Sequence, residues 1–107
     1  MVNERIVIIA SIRKSKDIDW LQNILRDYNE FWVVVDNKSA QILARNNLLN
    51  MISSSRLMVY SGKNPEEFAL KVYKVAVPDV VCVCDEHGVL RAIVDFIKFT
   101  PVKIISC

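Results

Sequence analysis

With 107 residues, 52% of them apolar, the chain has enough material for one core and too little for two. Fourteen basic against twelve acidic side chains leave a net charge of +2. A nucleic-acid partner is therefore allowed but not implied, because dedicated binders carry a longer basic stripe and a higher pI than 8.5. No apolar stretch reaches the roughly 18 residues that cross a bilayer, and Met1 to Arg5 runs into a strand-like segment without a cleavage site, so a cytoplasmic protein with no membrane contact is expected.

Arg5 to Ser11 is almost unbroken β-branched sequence, the pattern of a central parallel strand covered on both faces. Ile18, Leu21, Ile24, Leu25 and Tyr28 then recur at helical spacing, with Ser15 or Asp17 placed to cap the helix and Asp17 and Asp19 near its positive end. Phe31 to Asp36 reads as the second strand. A helix follows from about Ser39 to Ile52, with Leu43, Leu48, Leu49 and Ile52 inward and Asn46, Asn47 and Asn50 weakening it. Arg56 to Ser61 is the third strand. Asn64-Pro65-Glu66-Glu67 is the clearest helix start, an Asn cap, Pro at the first position and Glu67 reaching back, with Phe68, Val72 and Val75 as the buried stripe. Val80 to Asp85 is the fourth strand. Over Val89 to Phe99 a helix fits better than a strand, because it stacks Arg91, Asp95 and Lys98 opposite Leu90, Ile93, Val94 and Ile97. Val102 to Cys107 is the fifth strand.

This alternation predicts a three-layer α/β/α sandwich around a mostly parallel five-stranded sheet. The Rossmann-like order 3-2-1-4-5 is preferred, because right-handed crossovers then place two helices on each face. The flavodoxin-like order 2-1-3-4-5 would leave one face nearly bare.

Ligands of such sheets gather beyond the strand carboxyl ends, where Ser11, Asp36, Ser61 and Asp85 fall. The candidate site is Ser11, Arg13, Lys14, Asp36, Asn37, Ser61, Asp85 and His87. Ser11-Ile-Arg-Lys-Ser-Lys16 enters the first helix and could receive a phosphate on its amides and cations. It has none of the glycines that a nucleotide loop needs, however, so solvated loop charges are the competing reading. Asp36 and Asp85 could share Mg²⁺, or each could cap the following helix. His87, the single histidine, suits acid–base work or open solvent. Receiver domains, haloacid-dehalogenase-like phosphatases and PIN-type nucleases place an acid directly after the first strand, where this chain has Ser11-Ile-Arg-Lys. No Gly-x-Ser-x-Gly, Cys-x-x-Cys or Cys-x₅-Arg spacing is present.

Three cysteines make no disulfide framework, and Cys82 and Cys84 project from one strand face in poor geometry for bridging. Reduced thiols are expected. A zinc site from Cys82, Cys84, His87 and Cys107 is disfavoured, since alternate strand positions do not wrap an ion. Trp20, Trp32, Phe31, Phe68, Phe96 and Phe99 fall at core-like positions.

The expectation is a noncatalytic ligand-binding or protein-interaction module with no cofactor and no metal. It would form a homodimer through Phe99 to Cys107, because an apolar edge strand that closes the sequence invites pairing. The alternatives are a metal-assisted enzyme acting on a phosphorylated small molecule or nucleotide, and a weak nucleic-acid binder through Arg13 to Lys16.

Overall fold

The computed structural model describes residues 4–28, 30–52 and 56–107. Its five strands are β1 (Ile6–Ala10), β2 (Phe31–Asp36), β3 (Leu57–Tyr60), β4 (Val80–Cys84) and β5 (Lys103–Ser106). Four helices connect them: α1 (Ser15–Asp27), α2 (Asn37–Arg45), α3 (Pro65–Ala76) and α4 (Arg91–Ile97). The sheet is parallel throughout in the order β3-β2-β1-β4-β5. The Rossmann-like order is therefore the one adopted, and the flavodoxin-like order is not.

β1 lies at the centre, with Ile8 opposite Val33 of β2 and Cys82 of β4. All five of its residues are buried, as a strand covered on both faces requires. Ile6, Ile8, Val33 and Val35 pack into the layer with Leu21, Leu25 and Leu43 of α1 and α2. Val7, Ile9, Val34 and Val81 pack against Val72 of α3 and Ile93 and Ile97 of α4. Residues of alternating parity thus feed two cores, one on each side.

Five expectations change. The second helix is shorter than the span to Ile52. It ends at Arg45, Asn47 adopts a left-handed φ of 57°, and a 3-10 turn over Leu49–Met51 carries the chain on. Asn accepts that conformation more readily than most residues, so it stops the helix while Leu48 and Ile52 still reach the core.

The third helix begins where predicted, but Asn64 makes no side-chain capping hydrogen bond; its φ is 52°, and its contribution is to tolerate the left-handed turn before Pro65. The buried stripe of α3 is Ala69, Val72 and Ala76, whereas Val75 faces outward. The aromatic set is not all core, since Phe96 is partly exposed and Phe99 is 89% exposed.

The fifth change concerns the cysteines. Cys84 and Cys107 form a disulfide with Cα atoms 5.2 Å apart, and Cys82 is the buried free thiol. The expectation of three reduced thiols is corrected by strand adjacency: β4 pairs with β5, and the Cys107 amide donates to the Val83 carbonyl at 3.0 Å. Sequence spacing tests only near pairs such as Cys82 and Cys84; the bridge forms across neighbouring strands, 23 positions apart.

Candidate functional site

Arg13 leaves β1 and turns back across the carboxyl end of β2. Its guanidinium meets the Asp36 carboxylate at 2.7 Å and donates to the Ser39 hydroxyl at 2.9 Å and to the Ile12 carbonyl at 2.8 Å. Ser39, fully buried in the first turn of α2, accepts the Ile12 amide at 2.7 Å and donates a short hydrogen bond to Asp36. The hydroxyl thereby satisfies a backbone amide, a guanidinium and a carboxylate together. Burial works against the charge on Asp36, but the hydrogen bonds from Arg13 and Ser39 and the Arg13 charge outweigh it and hold the carboxyl below its ordinary range.

A second knot ties the start of α1 to the loop after β4. Asp17, 3% exposed, accepts the amides of Arg13 at 2.9 Å and Lys14 at 3.0 Å. It thus caps its own helix from the third position, reaching backward, while Lys14 occupies the cap position. The ring of His87 lies 3.3 Å from the same carboxylate oxygen, and Lys16 pairs with Glu86 at 3.0 Å. For Asp17, too, desolvation opposes ionisation; the two amides and the histidine overcome it and lower the pKa. The crevice between β1 and β4, where chain direction divides in this topology, is bridged by these two pairs. Asp17, Glu86 and His87 bring three donor atoms within 4.8 Å of one another, but the Asp17 oxygen facing His87 already accepts two amides and Lys16 holds Glu86.

Asp85 accepts the Leu90 amide at 3.0 Å and so anchors the turn into α4. Ser11 and Asp85 follow the paired residues Ala10 and Cys84 and end adjacent strands; the Ser11 hydroxyl, 1% exposed, and one Asp85 carboxylate oxygen are buried without a protein partner. A cleft of about 360 Å³ opens beside Asp85, between α4 and β5, with Arg91, Lys98 and Ile104 also on its walls.

The eight predicted site residues therefore divide. Arg13 and Asp36 form one half-buried network, while Lys14 and His87 meet on Asp17. Ser11 and Asp85 stand at neighbouring strand ends, and Asn37 and Ser61 are exposed. Asp36 and Asp85 are not brought together: β1 lies between their strands, so two strand spacings, about 10 Å, separate them. Sequence reasoning missed Ser39 as the hub, although Asp36-x-x-Ser39 is a capping spacing, and it read Asp17 as a cap alone. No protein-family model matches the chain, and no curated protein is significantly similar to it.

Proposed function

We propose that the protein is a noncatalytic interaction module that associates with itself through an apolar surface that includes Phe99. The observation that carries this reading is a contrast. Most of the polar groups that chemistry would need are occupied within the chain: Arg13 by Asp36 and Ser39, Asp17 by two amides, and one Asp85 oxygen by the Leu90 amide, which leaves only the Ser11 hydroxyl and the second Asp85 oxygen buried without a partner among the described residues. Large apolar groups meanwhile stand in solvent, Phe99 above all, with Ile105 partly exposed on the edge strand β5. A phosphate at Arg13 would have to displace a half-buried carboxylate, and a metal at Asp36 would have to displace a guanidinium; either exchange sacrifices charge-assisted hydrogen bonds.

The test combines two measurements on the wild-type chain. Light scattering from low to high micromolar concentration gives twice the 12.3 kDa chain mass. Millimolar Mg²⁺ or inorganic phosphate leaves the melting temperature where EDTA leaves it, whereas a folded-state ligand at a hundredfold excess over its Kd would add about 2.7 kcal/mol. A monomeric mass overturns the self-association. A clear upward shift with either ion returns the site to catalysis or ligand binding.

A further inference from the structure

We propose that the second copy docks on the groove between α3 and α4, each protomer placing its Phe99 ring in the groove of the other, with the two α3 helices antiparallel across the axis. This rests on the self-association proposed above and assigns its surface.

The outer faces of the two helical layers differ. Among the described residues, the exposed large apolar side chains on or flanking α3 and α4 are Leu70, Val75, Val77, Val89, Phe96 and Phe99. Among the described residues, the side of α1 and α2 exposes only Met51 and, on the edge strand β3, Val59. Scattered single residues would need no explanation; here Leu70, Phe96 and Phe99 border one hollow of about 290 Å³. The hollow exists because Ala69 is small where α3 faces α4, and Tyr73 and Ile97 complete its walls.

Phe99 stands on the lip of that hollow with its backbone fixed and its ring in solvent. Its amide donates to Phe96 at 3.2 Å, the Thr100 amide donates to Ile97 at 2.9 Å, and the Thr100 hydroxyl donates to the same carbonyl at 2.6 Å. An aromatic projection beside an apolar recess is self-complementary: one twofold rotation can fill both recesses with both rings. A phenylalanine has only two side-chain torsions to order on docking, so its ring is an effective anchor.

Charge selects the second copy as the occupant. The first turn of α3 carries Glu66 and Glu67, its last turn carries Lys74, and Lys71 lies one turn before the end, all exposed. Antiparallel α3 helices therefore set the acidic end of each against the basic end of the other, which steers the encounter and fixes its register. Parallel helices would oppose like charges. The edge of β5 is the weaker surface, since it offers four residues with Lys103 exposed among them.

The experiment compares dimer dissociation constants by sedimentation equilibrium, with circular dichroism melting as the folding control. Phe99→Asp weakens association at least about 30-fold and melts like the monomeric wild type, because the ring is already in solvent. Glu67→Lys and Lys74→Glu each weaken it, and the double variant, which restores the opposite-charge pairing, recovers most of the loss. Ile105→Lys on β5 changes it less than about threefold. A dimer that ignores Phe99→Asp overturns the groove, and if Ile105→Lys abolishes that dimer, self-association stands with the β5 edge as its surface. A wild-type monomer at high micromolar concentration overturns both proposals.

Discussion

Asp36 is hydrogen-bonded on one side to a guanidinium and on the other to a hydroxyl, and its charge is what holds those partners. Its pKa, like that of Asp17, is lower in the folded chain than the ordinary carboxylate value. Carboxyls shifted in that direction stabilise the fold above the unfolded pKa of about 4, and the stabilisation is lost as pH falls through the folded values. Asp36→Asn keeps the shape and removes the charge. It should cost about 2 kcal/mol at pH 7, and its stability should fall less between pH 5 and pH 2 than that of the wild type in urea titrations. Parallel declines would mean that Asp36 carries none of the acid sensitivity. The cysteines give a second residue-scale test. Burial, and then the charge of Glu4, pushes the Cys82 thiol up, so it reacts slowly in the folded chain. Thiol titration of the non-reduced, denatured chain should find one free thiol, and three would refute the Cys84–Cys107 bridge. Reduction should cost about 3 kcal/mol, the loop-entropy value for a bridge of this span.

Elements were legible wherever hydrophobic periodicity defined them and obscure wherever backbone conformation did. The α1 pattern and the Leu90, Ile93, Val94, Ile97 stripe of α4 carried their own evidence, because burying an apolar face is what forms such helices. The end of α2 did not. Three asparagines signalled weakness, but which one would turn left-handed depends on how Leu48 must reach the core. Asn64 was placed correctly for the wrong reason, since φ cannot be read from residue type alone. Asn64→Ser separates the two accounts. Serine keeps a capping hydroxyl but disfavours the left-handed region, so the variant should lose about 1 kcal/mol in denaturant titration. A change near zero would restore the side-chain cap. In the candidate site, Arg13 and Asp36 were legible because strand ends collect polar residues. Ser39 was not, because a serine one turn into a helix has no distinguishing pattern until the Ile12 amide is seen to need it.

For the whole molecule, the sheet order followed from coverage: only 3-2-1-4-5 gives each apolar face two helices, and that is the order formed. What coverage could not reveal was the inequality of the outer surfaces. α1 and α2 close their layer with polar side chains, whereas α3 and α4 leave Leu70, Phe96 and Phe99 around a recess. An apolar hollow beside a projecting ring is an unfinished surface, and the account rests on a second copy finishing it. Small-angle X-ray scattering of the wild-type chain at high micromolar concentration tests this most directly. A dimer docked through this recess gives a forward-scattering mass twice 12.3 kDa and a radius of gyration well above the 12.6 Å of one chain. A mass of 12.3 kDa with the radius of a single chain would contradict it.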